Sequence, residues 1–502
     1  MSYAELSSHF ERTGHLAHAL AMLQWDEAVM MPEGSGHERA LAMATLEGVL
    51  HERAVDPRIV DWLEQARQTQ AELSAFQRAN LREIDRLSRR ARAVPQALVE
   101  RAIAAQLRSE QAWRKLRKEN DFATFAPYLE DVLKIKRELG AAYGEALGLS
   151  PYDALMDEYE PGLRAEKLDR VFGELRRVLP GLISEVIAAQ ASHPPVVPSG
   201  PFAVEAQAAL GARIMAAIGF DTSKGRLDVS HHPFCGGVPS DVRITTRYQT
   251  ADFLRSLMGV LHEAGHAKYE QGLPAALIFQ PVGRARGMVM HESQSLLSEM
   301  QVSRGLAFLT FLAPLVRLAF PEQAARQPAA FTPDNLYRLC TRVERSKIRV
   351  DADEVTYPCH VILRYDLERA LIEGRMQVKN LPEAWDAGMR SLLGIATGDD
   401  MRDGCMQDVH WPSGAFGYFP TYTLGAMTAA QLFAALKRDT PGLDADIAQG
   451  DFRALNAWLR TRVWSRASEL STDDLLREAT GDELNPQAFE RHLRARYLGT
   501  HA

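Results

Sequence analysis

Apolar residues recur at three- and four-residue steps along most of this chain. The spacing predicts amphipathic helix in nearly every window from the start to about residue 190, and again from Thr250 to the end. Leu73, Phe76, Asn80, Ile84 and Leu87 are typical, an apolar stripe at near-helical spacing interrupted once. The first half therefore reads as a helical wall. Pro194-Pro195-Val196-Val197-Pro198-Ser199-Gly200-Pro201 breaks the pattern, because successive prolines cannot continue a helix and favour extended backbone. Beyond it Leu227 and Val229 alternate in one run and Val242, Ile244, Thr246 and Tyr248 in another, with Gly236-Gly237 and Pro239 as the separator. Period-two alternation of this kind predicts a small hairpin or sheet. A helix follows at once: Leu254, Leu257, Leu261 and Ala264 keep its period, Thr250 and Asp252 suit its start, and Gly272 with Pro274 suits its end. The expected architecture is mainly α, one domain over 1–502, with a helical wall or lid subdomain (1–193) and a second subdomain (202–502) carrying the sheet beside that helix.

Composition changes this picture little. Hydrophobic residues make up 46% and charged residues 25% of the 502, as in an ordinary globular protein. The net charge of −7 argues against a nucleic-acid scaffold. Arg86, Arg89, Arg90 and Arg92 form a basic run, but Glu83 and Asp85 beside it point to a solvated helix face rather than a phosphate site. No apolar run approaches the roughly 18 residues of a membrane helix. The start, Met1-Ser2-Tyr3-Ala4-Glu5-Leu6, does not resemble a secretory signal, so the cytoplasm is the expected compartment. Cys235, Cys340, Cys359 and Cys405 lie far apart and form no C-x-x-C pair, which suggests free thiols.

The chemistry is carried by His262-Glu263-Ala264-Gly265-His266. On a helix the two histidines project from one face and can share one zinc ion, while Glu263, one residue round, reaches water on the metal instead of the metal itself. A catalytic zinc needs a third protein ligand, with the fourth position kept open. Glu270, His291, Glu292, Glu299, Asp353 and Glu354 are the candidates. Glu292 follows His266 by 26 residues and heads an apolar run with Leu296, Leu297 and Met300, a spacing that lets a second helix return against the first.

The pair His262-Glu263-Ala264-Gly265-His266 and His291-Glu292-Ser293-Gln294 resembles the carboxypeptidase Taq family of metallocarboxypeptidases. Further segments agree with it: His232-Pro233-Phe234, Asp241-Val242-Arg243-Ile244-Thr245, Ile348-Arg349-Val350-Asp351-Ala352-Asp353-Glu354, and Gly404-Cys405-Met406-Gln407-Asp408-Val409-His410-Trp411. Gln24-Trp25-Asp26 with Met31-Pro32 and Arg39 extends the likeness to the amino-terminal part. The resemblance implies an almost wholly helical, two-lobed, gluzincin-like body with a deep cleft, commonly a homodimer. It further implies an exopeptidase with one Zn2+ per chain, sometimes activated by Co2+, that takes single residues from peptide carboxyl ends with broad tolerance. By that likeness His262, His266 and Glu292 are the ligands and Glu263 the base.

Such an enzyme also needs a donor for the developing oxyanion, and His410, Tyr418 and Tyr422 are the candidates. The substrate's free carboxylate calls for a forked guanidinium, for which Arg349 is the choice unless Asp351, Asp353 or Glu354 holds it in an ion pair. Arg243 is expected to brace the sheet through Asp241, with a direct substrate role as the alternative. His232 is placed at the cleft or in loop packing, and Asp408 is a candidate to orient His410. Two rival readings remain: an oligoendopeptidase or dipeptidyl carboxypeptidase on the same fold, and a non-catalytic helical binding protein. Peptides, not nucleic acid or membrane, are the expected partners.

Overall fold

The computed structural model describes residues 2–230 and 233–499 and shows a mainly α protein with one three-stranded sheet. No single described helix is long and apolar enough to cross a membrane. The chain forms two compact units that interleave in sequence: residues 1–91, 194–340 and 428–484 make the first, and 92–193, 341–427 and 485–502 the second. One division between the units falls between residues 193 and 194, at the head of the proline-rich segment. The helical wall expected over 1–193 is nevertheless divided, its first half belonging with the sheet and the H-E-x-x-H helix.

In the first unit, Leu6, Phe10, Ile59, Leu63, Ala66, Leu81 and Ile84 form an apolar cluster among the amino-terminal helices. Each of the leucine, isoleucine and phenylalanine side chains contributes about 1.5–3 kcal/mol when fully buried. Asn80, the interruption in the stripe, is fully buried: it donates to Gln280 Oε1 at 2.9 Å and accepts from the Val282 amide at 3.1 Å. The stripe is broken there because a polar group is needed to satisfy backbone deep in the unit. In the basic run beside it, Arg86 (3.1 Å) shares Glu83 with the buried Arg286 (2.9 Å).

The sheet comprises β1 (Gly225–Val229), β2 (Cys235–Val238) and β3 (Asp241–Thr246) in the order β1-β3-β2, with β1 parallel and β2 antiparallel to β3. The glycine pair taken as a separator is itself a strand. Gly237 sits at φ 88°, and a Cβ there would lie 2.2 Å from the Asp241 carbonyl, so glycine is what lets the β2–β3 hairpin close. Val242 and Ile244 are fully buried, and Thr246 Oγ1 donates to the Ser256 carbonyl at 3.4 Å, tying β3 to the next helix.

The second unit is built of helices, among them Gln96–Leu116, Phe122–Leu147, Ala165–Gln190, Tyr357–Ile372 and Pro486–Leu498. Leu168, Phe172, Leu175, Leu179, Leu182 and Val186 line one face of Ala165–Gln190 at helical period and are buried. Arg349, Asp408, His410, Tyr418 and Tyr422 all belong to this unit.

Candidate metal centre

The H-E-x-x-H segment lies on the helix Phe253–Gly272, hereafter the motif helix, whose start is fixed by Asp252: its Oδ1 accepts from the amides of Leu254 (2.9 Å) and Arg255 (3.2 Å). Glu292 comes from the helix Met288–Leu296. The two helices approach most closely at Gly265, where a Cβ would lie 2.5 Å from the Gln294 carbonyl and 2.6 Å from Ser295 Cα. The glycine inside the motif is therefore what admits the third ligand. On the far side Trp464 closes the packing: its Nε1 donates to Gln294 Oε1 at 2.9 Å, and its ring leaves no room for a Cβ on Gly272.

His262, His266 and Glu292 each offer one ligand atom, and these atoms lie within 4.8 Å of one another. His262 Nε2 is 4.0 Å and His266 Nε2 3.4 Å from the Glu292 carboxylate. The other ring nitrogens are already engaged. His262 Nδ1 meets Glu299 Oε2 at 2.9 Å; His266 Nδ1 meets His291 Nδ1 at 2.6 Å, and His291 Nε2 meets Glu270 Oε1 at 2.8 Å. These bonds fit one proton arrangement, in which each Nδ1 of the two ligands donates and each Nε2 keeps its lone pair facing Glu292. Imidazoles anchored through the second nitrogen, one by a carboxylate and one through a histidine–carboxylate pair, are what metal-ligating histidines show. The residues fit a divalent cation.

Electrostatics agree. Without a cation, burial would pull both histidines down, and it holds His266 at about 4. For His262 the Glu299 bond and the charges of Glu292 and Glu263 outweigh burial and raise it to about 10, so these carboxylates hold positive charge at the ring as a proton on Nε2, which a bound cation would replace. Glu263 is buried and accepts no hydrogen bond among the described residues; burial above all, with Glu292 and Glu299 adding to it against His262, raises its carboxyl to about 7.

The remaining expected residues are placed as follows. Arg243 forks onto Asp241 at 2.9 and 2.7 Å and lies 4.5 Å from the centroid of the buried Trp25 ring, the bracing position in the first unit. His232 lies outside the described residues. In the second unit Arg349 is buried, with Nε and Nη2 on Asp408 Oδ1 (3.0 and 2.9 Å) and Nη1 on the Tyr357 hydroxyl (2.9 Å). Its ion-pair partner is thus none of the three acids expected from sequence. Asp353 caps the amides of Val355 and Thr356, and Glu354 binds His492 and Tyr497. Asp408 bonds Arg364 through its other oxygen (Nε, 2.7 Å) and makes no hydrogen bond to His410 among the described residues. His410 Nε2 instead meets the Tyr422 hydroxyl at 3.1 Å, and the Tyr418 ring packs edge-on to Tyr422 at 5.2 Å. Sequence reasoning offered Glu270, His291 and Glu299 only as ligands; the structure makes them supports. One signal was available, since His262, His266 and Glu270 recur at four-residue steps and so share a helix face.

The sequence pattern of the carboxypeptidase Taq (M32) metallopeptidases matches residues 5–497. The thermostable carboxypeptidase 1 of Thermus thermophilus is 38% identical over 506 residues, covering 99% of this chain and 98% of that protein. Carboxypeptidase 1 of Bacillus subtilis is 32% identical over 97% and 96%. Among solved structures, Trypanosoma cruzi metallocarboxypeptidase 1 superposes with a TM-score of 0.95 at 42% identity over 99% of both chains. The M32 carboxypeptidase of Deinococcus radiodurans gives 0.93 at 36% identity, over 99% of this chain and 98% of its own. With the family pattern matched over residues 5–497, a matched fold and near-complete coverage, this chain belongs to the carboxypeptidase Taq (M32) family of metallopeptidases.

Proposed function

We propose that this metallocarboxypeptidase is a zinc enzyme that removes single residues from the carboxyl ends of peptides, with broad side-chain tolerance and water as the nucleophile. The observation that carries the reading is the anchored His262–His266–Glu292 donor set beside Glu263, a buried carboxylate bound to nothing else among the described residues. Two imidazoles and one carboxylate are the donors of a catalytic zinc site; cobalt accepts the same set, and availability decides between the two ions. Held there, the ion would act as a Lewis acid, making water acidic near neutral pH and polarising the scissile carbonyl. Glu263 takes the proton from the attacking water and returns it to the leaving amine. β2, an edge strand, offers backbone groups to an extended peptide.

In the second unit, two guanidiniums, Arg349 and Arg364, share the single carboxylate of Asp408. The surplus positive charge suits a substrate carboxylate, with Arg349 the contact, and His410 and Tyr422 supply a paired imidazole and hydroxyl as donors to the peptide. Tyr418 and Arg243 act by packing and bracing. The four free thiols suit a reducing compartment, for which we favour the cytoplasm, and we favour a homodimer, to be checked by sedimentation.

The decisive experiment measures metal content and hydrolysis of N-blocked dipeptides with and without chelator, using free and amidated carboxyl ends. One divalent ion per chain, chelator-sensitive release of single residues and loss of cleavage on amidation are expected. Cleavage indifferent to amidation would remove the carboxypeptidase assignment, and a folded protein that hydrolyses nothing with any divalent ion would remove the enzyme itself.

A further inference from the structure

The chain after Glu292 changes its winding. Leu297–Ser303 is a π-helix, almost wholly buried, which continues directly from Met288–Leu296. In an α-helix, residues five apart point about 140° from one another round the axis; a π-turn, closed by i+5 to i hydrogen bonds, brings them nearly into line. The Arg304 amide donates such a bond to the Glu299 carbonyl at 3.1 Å, and the Ser303 side chain reinforces the turn, its Oγ donating to the Ser298 carbonyl at 2.7 Å. As a result Arg304 stands beside Glu299, and its Nη2 reaches Glu299 Oε1 at 2.6 Å while Nη1 donates to the Cys340 carbonyl at 3.3 Å. The other Glu299 oxygen accepts from His262 Nδ1. Ser298 Oγ pins the same turn to the Leu261 carbonyl, one residue before His262, at 2.8 Å.

We propose that Arg304, placed by this π-turn, is a positioning residue for the metal site: by clamping Glu299 it fixes the ring of His262 and thereby sets how tightly the divalent cation is held. The inference rests on the reading of His262, His266 and Glu292 as ligands. Its reasoning is geometric. A glutamate side chain has three rotatable bonds, and a carboxylate fixed at one oxygen by a guanidinium, itself tied to a backbone carbonyl, has little freedom left. The imidazole bonded to its other oxygen inherits that order, so its Nε2 is aimed before any ion arrives. Support of this kind commonly changes metal affinity by 10–100-fold.

The test is competition for Zn2+ between the full-length protein and a chromophoric chelator, with metal release rates followed in parallel. Arg304→Met should bind zinc 10–100-fold more weakly and release it faster, and Arg304→Lys should fall between it and the wild type. Arg286→Met serves as the structural control, because it breaks another buried ion pair of the same unit, with Glu83, away from His262. It should lower the melting temperature yet leave zinc affinity unchanged. Glu299→Gln combined with Arg304→Met should cost little more than either change alone, since both act through one bond. Equal zinc affinity in Arg304→Met and Arg286→Met, or additive effects in the double variant, would overturn the proposal. Should Arg304→Met fail to fold, unchanged affinity in Arg304→Lys would do so as well. A wild-type protein without affinity for any divalent ion would refute the ligand assignment first, and the clamp with it.

Discussion

At the scale of single residues, the motif's five positions do different kinds of work. Glu263 lacks a hydrogen-bond partner among the described residues, so its carboxyl is available to move a proton. Glu263→Gln keeps the shape and removes that capacity; turnover should fall by about 10²–10⁴-fold with zinc content intact, as read by steady-state kinetics beside metal analysis. Gly265 is spatial. Gly265→Ala would set a Cβ 2.5 Å from the Gln294 carbonyl and push Glu292 away. The expected result is a loss of about 1–3 kcal/mol in stability together with weaker metal binding. Gly259→Ala on the same helix, where the nearest atom stands 3.9 Å away, should leave zinc binding unchanged and raise stability by up to about 1 kcal/mol. A melting curve and a zinc titration of the two variants make the check. The motif was legible because its two ligands are four residues apart on one helix, which is local information. Spacing and the apolar run after it favoured Glu292, and the family likeness was needed to choose it over Glu270 and Glu299. The pairing of Arg349 with Asp408 was not legible at all: the partners lie 59 positions apart and are joined by folding, whereas the acids considered for Arg349 were its neighbours in sequence.

Between residue and whole lies the element, where expectations tied to ideal periods did least well. Glycine weakens a strand by about 0.5–1 kcal/mol, so Gly236-Gly237 read as a separator, yet tight closure of the hairpin demands it there. A period of 3.6 likewise cannot show a π-turn, which hides the proximity of Glu299 and Arg304. The motif helix and its Asp252 cap were read correctly because capping depends only on neighbours. Another element carries a pH prediction. Glu354 in the second unit is buried, accepts from His492 Nε2 (2.8 Å) and the Tyr497 hydroxyl (3.0 Å), and pairs with Arg496 (3.2 Å), all on the helix Pro486–Leu498. Burial works against its charge, but His492 and Arg496 outweigh it and lower the carboxyl to about 2. A depressed acid stabilises the fold above its unfolded value, near 4.5, and the contribution disappears as pH falls towards 2. Glu354→Gln should therefore cost on the order of 3 kcal/mol at pH 7. The gap in melting temperature from wild type should narrow between pH 4.5 and 2, and a gap that widens on acidification would contradict the assignment.

For the whole molecule, the mainly α class and the break at 194 were legible, whereas the interleaving of three segments per unit was not, because it is decided by which faces meet after long excursions of chain. A truncation shows what that threading demands. A chain ending at residue 427 retains His262, Glu263, His266 and Glu292 but lacks Phe452, Leu455 and Trp464, of which Trp464 fills the groove beside Gly272 and bonds Gln294. It should bind no stoichiometric zinc by elemental analysis, and full metal content in that fragment would show the last segment of the first unit to be dispensable. The same threading bears on synthesis. Ligands complete at residue 292 must wait for residue 484 to be made, on the order of 10–40 s at ribosomal rates of about 5–20 residues per second. Until then the imidazoles and carboxylates lack the Trp464 packing that backs them in the complete unit, and nitrogen and oxygen donors not held in one geometry favour copper over zinc. Discrimination among divalent ions therefore falls to the completed first unit rather than to the ligands as they are made.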